Sequence, residues 1–428
     1  MPPHRTLWLV LSWGLLFIGC QASGPPDAGD AGATDRDASA YPYDLESLDG
    51  LPLLRLSTDP AINREGYTPA EISLSGRRYV GTEAKYRGAT SSSYPKKSFT
   101  LKFSKSDALD DAATGFTATR KAVLISSFDD NAYVRQALAF ALWNRLDPEH
   151  VQVRTAFVGL VLDGEYHGLY LMADHIDGHL MEDLGMWEDG NLYKARDHSA
   201  NFRTQQSDGK AKSPHTGFTK EEGLPEQAEA GAFADLDAFA EWLDQADETA
   251  LTDNLAAYID VRDYGDWWII VSLIDALDSA GKNSYHYHDP RPADPANVFR
   301  CVPWDFNMSF GQNWKTDRAA PTRTLARYQT TNAVFERLLR SASFAPEIRA
   351  RYRAALRDEL SIEWVQAWLA QTRGQLEAAA LHDEARWGEA YRSFFPRADL
   401  TDYAAETAYV DQWIRDRWAF VSAQLATP

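Results

Sequence analysis

Between Leu51 and Phe103 apolar and polar residues alternate. Leu51-Pro52-Leu53-Leu54-Arg55-Leu56, Glu71-Ile72-Ser73-Leu74-Ser75 and Ser98-Phe99-Thr100-Leu101-Lys102-Phe103 follow the two-residue period of strands with one buried face. Thr155 to Leu162 and Glu165 to Met172 flank Asp163-Gly164, a dipeptide that readily takes the positive φ values of a tight hairpin turn, so the two runs are predicted to pair antiparallel. Within Asn131 to Leu146 the period changes: Val134, Leu138, Leu142 and Leu146 fall four apart, with Ala137, Ala139 and Ala141 permitting close approach, which predicts a packed helix. Helical spacing returns at Leu236 to Leu251 and at Ile259 to Leu277, the second apolar enough to be central. It recurs at Val334-Leu338, Ile348-Tyr352-Leu356, Trp364-Trp368 and Val410-Ile414-Trp418-Val421-Leu425. The expected class is α+β, with a β-rich N-terminal part at about 51–195 and a mostly α-helical C-terminal part at about 233–428. Residues 197–232, rich in Gly, Ser, Lys and Glu, read as a long, weakly ordered surface excursion whose Lys210, Lys212 and Lys220 are solvated.

The ends of the chain differ from its middle. Residues 1–20 place His4 and Arg5 before an apolar run, Leu7 to Gly19, that is short for a bilayer span and reads as a secretory signal. Leu16-Phe17-Ile18-Gly19-Cys20 resembles a bacterial lipobox, so Cys20 is the expected lipidation site; ordinary secretion and an uncleaved anchor are the alternatives, and Phe17 departs from the usual aliphatic residue. Residues 21–50 are small and acidic, with little to bury, and read as a flexible linker. The expected location is therefore the bacterial cell envelope, with the membrane reached only through the lipid. The remaining cysteine, Cys301, then has no internal disulfide partner and reads as a small buried hydrophobe.

The 428 residues include 43 Lys and Arg against 62 Asp and Glu, a formal net charge of −19 that opposes binding to nucleic acid. No G-x-S-x-G, P-loop or dinucleotide glycine pattern occurs, which leaves serine hydrolases, P-loop nucleotidases and Rossmann oxidoreductases without support. His175 and His179 stand four apart, but Gly178 lies between them and no Glu follows His175, so the zinc-helix logic is absent. His286 and His288 share one strand face, where two metal ligands could sit; a polar strand face beside a cleft is the plainer reading. The tryptophans, including Trp267, Trp268, Trp304, Trp314, Trp364 and Trp368, fall mostly at core spacing rather than forming a carbohydrate platform.

The richest stretch is Asp278-Ser279-Ala280-Gly281-Lys282-Asn283, between the apolar helix and a strand-like Ser284-Tyr285-His286-Tyr287-His288, followed later by Pro303-Trp304-Asp305-Phe306-Asn307-Met308-Ser309-Phe310-Gly311. Asp278 and Asn283 have the D-x4-N spacing of a kinase catalytic loop, and Asp305 follows an apolar strand as a kinase's metal-holding Asp does. Phosphoryl transfer needs a carboxylate to orient the attacking hydroxyl, plus an amide and a second carboxylate to hold a divalent ion.

Several ordered blocks extend the likeness. Tyr86-Arg87-Gly88-Ala89-Thr90-Ser91-Ser92-Ser93-Tyr94-Pro95-Lys96-Lys97-Ser98-Phe99, Leu124-Ile125-Ser126-Ser127-Phe128-Asp129-Asp130 with Arg135, Gly164-Glu165-Tyr166-His167-Gly168-Leu169-Tyr170-Leu171-Met172 and Gly190-Asn191-Leu192-Tyr193-Lys194-Ala195 precede the two above. Together, over roughly Leu51 to Gln424, the chain resembles the spore coat protein H (CotH) kinase family. The resemblance implies an atypical, secretory-type protein-kinase-like fold that binds ATP with Mg²⁺ or Mn²⁺ and phosphorylates Ser or Thr of a protein. It casts Asp278 as the catalytic Asp, Asn283 and Asp305 as metal ligands, and Arg87 with Lys96 or Lys97 on the nucleotide side. Alternation puts Lys96 and Lys97 on opposite faces; Lys97 is preferred, with Lys102 a third candidate. Asp174 stands where the family commonly has the Glu that pairs with such a lysine, one methylene shorter. Asn307 replaces a second acid after the PWDF Asp, which implies weaker metal binding. A lipid-tethered module that is catalytically inactive and binds a polymer or partner protein is the competing reading.

Overall fold

A computed structural model describes residues 46–293, 297–313, 318–394 and 401–426. The chain divides into two units, Met1–Pro42 and Tyr43–Pro428, and every described residue belongs to the second. The signal segment, Cys20, most of the linker and Trp314 lie outside the described residues.

The N-terminal part is built on eight strands: β1 (Ser47–Leu48), β2 (Leu51–Thr58), β3 (Thr68–Leu74), β4 (Arg77–Arg87), β5 (Ser98–Lys102), then, after the small hairpin β6 (Leu109–Asp111) and β7 (Phe116–Thr119), β8 (Lys121–Ile125), and finally β9 (Thr155–Leu162) and β10 (Glu165–Asp174). The order is β1-β2-β3-β4-β5-β8-β10-β9, and β9 also pairs parallel with β2, so the sheet closes on itself. Asp163 and Gly164 both take positive φ, as the hairpin reading requires, and the Asp163 side chain accepts from the Thr58 N–H at 3.1 Å.

Closure explains why some strands are apolar on both sides. On β8 and β10, Leu124, Tyr170 and Met172 point into the core enclosed by the sheet, with Leu54, Ile72, Phe99 and Val158. Their neighbours Val123, Leu169, Leu171 and Ala173 point outward into a second, larger core. Strand alternation thus serves two interiors, and a continuous apolar run results.

The larger core belongs to the helices. α1 (Arg135–Leu146) lies between β8 and β9 in sequence and is buried along nearly its whole length. After the short α2 (Gly178–Asp183), β11 (Asn191–Ala195) and β12 (Phe218–Glu222), the chain forms α3 (Ala234–Gln245), α4 (Glu248–Asn254) and α5 (Val261–Leu273). Asp260 caps α5 by accepting from the N–H groups of Arg262 and Asp263, and the helix carries Trp267, Trp268, Ile269, Ile270, Val271 and Leu273 into the core. The strands β13 (Ser284–His288) and β14 (Arg300–Pro303) complete a second antiparallel sheet, β12-β11-β13-β14. α6 (Ala333–Arg340), α7 (Phe344–Arg357), α8 (Ile362–Phe394) and α9 (Tyr403–Ala426) finish the chain. No helix among the described residues is long and apolar enough to cross a membrane.

The α+β architecture, β-rich first and helical last, is therefore present, with two differences from the sequence pattern. The helix expected over Leu236 to Leu251 is broken at Ala246-Asp247, because the Asp247 side chain accepts from the Ala250 N–H and starts a new helix. The strand read at Ser284 to His288 and the apolar strand before Asp305 are present as β13 and β14. The polar excursion is not featureless: it contributes β12, whose Lys220 is buried, and Lys212 Nζ ties the loop by donating to the Asn201 side chain at 2.8 Å. Cys301 is fully buried on β14, and burial pushes its thiol pKa up.

Candidate active site

The two sheets face each other across a cleft of about 450 Å³, lined by the end of β4 and the loop after it, the segment after β8, the end of β11, and the loops on either side of β13–β14. Asp278, Asn283, Asp305 and Arg87 all line it.

The loop after α5 is held in an unusual path. Asn283 has a φ of 56°, its N–H donates to the Ala195 carbonyl at 3.0 Å, and its carbonyl accepts from the Trp304 N–H at 2.8 Å. Asp305 has a φ of 59°, and its carbonyl accepts from Ser279 Oγ at 3.0 Å. Ser127, across the cleft, has a φ of 48°. Asn and Asp tolerate the left-handed region better than other side chains, and such residues persist only where surrounding bonds fix them. Here the Ala195 carbonyl of β11, the Trp304 N–H just past β14 and the Ser279 hydroxyl of a 3-10 turn do so. Gly88 lies on the loop opposite, at a φ of 112°, and a Cβ there would collide with Ser91 Oγ, so the loop passes too close to its own turn for any side chain.

Asp278 is the centre of a small network. Its Oδ2 accepts from Asn283 Nδ2 at 3.0 Å, and its Oδ1 lies 3.0 Å from Lys282 Nζ and 3.5 Å from His198 Nε2. Burial pushes its pKa up, but His198 and Lys282 outweigh burial and hold it below the usual carboxylate range. Asp305 behaves oppositely. Burial first, then the negative charges of Asp129 and Asp278, push its carboxyl up to about 6, with Arg87 and Lys282 opposing. Three carboxylates thus crowd one cleft.

Asp129 was not assigned a role from the sequence. Its Oδ2 accepts from Asn307 Nδ2 at 2.7 Å and from the Tyr94 hydroxyl at 3.3 Å. Asn307 Oδ1 meanwhile accepts from the Met308 N–H at 3.0 Å, so Asn307 orients Asp129 rather than offering a free oxygen. Asp129, in the segment after β8, thus sets a carboxylate beside Asn307. The adjacent Asp130 turns inward to Arg135, which is fully buried and also pairs with Glu406 of α9. The signal was the doubled Asp of the β8 block, which does not say which of the two faces the cleft.

The lysines require correction. Lys96 is completely buried; its ammonium donates to Asp383 of α8 and to the Leu169 carbonyl, each at 2.6 Å, and it does not line the cleft. Lys97 is also absent from the lining and donates to the Ser92 carbonyl at 3.0 Å. Lys102 pairs with Glu83 at 2.7 Å on the outside of the sheet. Asp174 has no lysine: it takes Arg154, Nη2 to Oδ1 at 2.8 Å. The shorter Asp found a guanidinium from the segment before β9 instead. The cations that do line the cleft are Arg64, Lys85, Arg87, Lys194, Arg196 and Lys282. Arg87 stacks over the Trp304 ring, 5.7 Å to the centroid, and burial lowers its pKa while Tyr285 and Asp305 oppose that shift. Lys85 and Lys194 lie over the rings of Tyr67 and Tyr285. Lys194 stood in a quoted sequence block, but strand position alone gave it no task.

His198 touches Asp278 and His175 lines the cleft, whereas His286, His288, His179 and His150 are structural or peripheral. His286 is fully buried, with the Tyr264 hydroxyl at 2.9 Å and Ser284 Oγ at 3.0 Å, and His288 pairs with Asp235 at 2.7 Å. His179 contacts Arg120, whose guanidinium sits among His179, Glu182 and Glu188 where a metal would need to be. His150, grouped with Asp147 and Asp266, is likewise surrounded by Arg262 and Arg351. The cleft carboxylates are the donor set that fits a divalent ion: hard oxygens, mutually repelling, beside an amide.

A search among curated proteins finds no match. Against protein families, the family described as CotH kinase protein matches residues 84–421, which include every cleft residue named above except Arg64 and Tyr67.

Proposed function

The chain belongs to the CotH kinase family and so has a kinase-like function, and from that premise we propose that the cleft transfers the γ-phosphoryl group of ATP, with Mg²⁺ or Mn²⁺, to Ser or Thr of a surface or secreted protein. The observation that carries this reading is the convergence of Asp129, Asp278 and Asp305 in one cleft whose rim is Lys85, Arg87, Lys194 and Lys282. Buried like charges are costly unless a cation is held between them, and a cationic rim suits phosphates.

Asp305, Asp129 and the Asn283 amide would hold the divalent ion, and Arg87, Lys85 and Lys194 the phosphates. When bound, ATP and its ion supply the transferable group and neutralise charge between the phosphate oxygens. Asp278, kept ionised by His198 and Lys282, orients the acceptor hydroxyl. It takes the hydroxyl proton as that oxygen bonds to phosphorus and ADP leaves with the bridging oxygen. Export and lipid anchoring at Cys20 complete the proposal.

ATP with Mn²⁺ or Mg²⁺ is expected to raise the melting temperature through binding to the native state alone, and labelled ATP to mark a Ser-rich protein. Asp278→Ala should abolish transfer but keep the thermal response. Asp305→Asn should abolish both and, by removing a charge from the crowded cleft, stabilise the nucleotide-free protein by about 3 kcal/mol. Failure of every nucleotide and metal pair to shift the melting temperature would leave a polymer- or partner-binding module in place of the kinase.

A further inference from the structure

Most cations of the cleft are held without acids. Lys85, Arg87, Lys194 and Arg196 line it and make no ion pair or side-chain hydrogen bond among the described residues. Three of them rest on aromatic rings instead: Lys85 Nζ lies 4.5 Å from the centroid of Tyr67, Arg87 Cζ 5.7 Å from that of Trp304 and Lys194 Nζ 4.9 Å from that of Tyr285. A ring face places a cation without neutralising it, so the charge stays available to a ligand. Glu221, the one acid of the lining besides Asp129, Asp278 and Asp305, acts on Lys85 without pairing with it, while burial, Lys121 and Arg87 lower the Lys85 pKa. Six cations thus face four carboxylates in the lining. A divalent ion adds to that excess, in a chain whose net charge is −19.

A nucleotide base finds much less there. Small-molecule sites are usually lined mainly by apolar side chains, but among the described residues Ile125 is the one aliphatic side chain larger than Ala in this lining, and it is buried. The aromatic residues of the lining are already engaged. Tyr86 turns its ring to Phe99 and the core enclosed by the sheet. Tyr94 is buried between the rings of Phe128 and Phe394. Trp304 is buried too, under Arg87 and against Phe140 and Tyr285. Available charge and an absence of open rings together favour the part of a donor that carries the phosphates.

We propose that the cleft holds its donor by the phosphate chain alone, so that nucleoside triphosphates of any base, and inorganic triphosphate, occupy it alike. The inference rests on the phosphotransfer reading and adds which part of the donor is recognised. It is tested by calorimetric titration of the full chain, with Mn²⁺ present, against ATP, GTP, CTP and inorganic triphosphate.

GTP, CTP and inorganic triphosphate are expected to bind no more than fivefold more weakly than ATP, and adenosine to leave ATP binding unchanged. Arg87→Met and Lys194→Met should each weaken all four ligands at least tenfold, and Arg87→Lys should recover part of the first loss. ATP binding more than fivefold tighter than any of the other three, competition by adenosine, or a folded Lys194→Met protein that binds as the wild type does would overturn the inference and leave the phosphotransfer reading in place. Silence towards all four ligands would remove both. Binding of all four with no transfer to a protein would remove the phosphotransfer reading alone.

Discussion

Lys96 and Lys97 are neighbours in sequence with unrelated tasks. Both precede β5, which begins at Ser98, so strand alternation does not govern them, and local pattern cannot say whether either meets a cleft or a core. The partner that decides the matter for Lys96, Asp383, lies 287 residues downstream. Removing one member of a fully buried ion pair leaves the other uncompensated, so Lys96→Met is expected to cost about 3–5 kcal/mol in urea denaturation. The double variant Lys96→Met with Asp383→Leu should recover much of that loss, and nucleotide affinity of the folded single variant should be unchanged. A nucleotide-contacting lysine would show the reverse pattern. Asp278, Asn283 and Asp305 were legible because all three sit in short loops tied to one strand pair, where local spacing fixes proximity. Asp129 was not, because it arrives from a different sheet and its orientation depends on Asn307 and Tyr94. Asn307 itself shows the difference between chemistry and address: its amide character was evident, its use as a donor to a carboxylate was not.

At the level of elements, strands and helices with one clear period were readable, and those serving two neighbours were less so. The break between α3 and α4 turns on a single capping carboxylate, which a hydrophobic period does not register. Residues 197–232 looked featureless because β12 pairs with β11 and its order comes from that partner rather than from its own composition. The last two helices are tied to the N-terminal part by buried ion pairs, Asp383 with Lys96 and Glu406 with Arg135. Gly168 on β10, at a φ of 131°, leaves space that a side chain would contest with the Asp383 carboxylate of α8. On α9, burial pushes the Glu406 carboxyl up, but Arg135 and Arg318 dominate and hold it down at about 2. Since its folded pKa lies below the unfolded value of about 4.3, its stabilisation is full above that value and disappears as the pH falls towards 2. Glu406→Gln should therefore destabilise at pH 7 by about 3 kcal/mol and flatten the acid limb of a urea-midpoint profile between pH 4.5 and 2. An unchanged limb would show that α9 is not anchored through this carboxylate.

For the whole molecule, the larger core around α5 determines how the fold responds to pH. His286 is buried there among Tyr264, Trp267 and Phe202, and burial lowers its pKa to about 3 from 6.5. The unfolded chain binds a proton that the folded one refuses, so stability should fall as the pH drops from 6.5 towards 3, at about 1.4 kcal/mol per pH unit from this residue. His167, lowered to about 3 by burial and then by Arg386 and Lys96, acts in the same direction. Calorimetry from pH 7 to 4 should show the decline, and His286→Gln should reduce its slope. The buried Arg135 has a further consequence. It joins Asp130, the residue next to a cleft carboxylate, to the Ser309 carbonyl and to Glu406 near the start of the final helix. During synthesis, the Arg135 network cannot be completed until Glu406 has left the ribosome. A chain cut short of Glu406 should leave the buried Arg135 guanidinium with one carboxylate where the full-length protein gives it two.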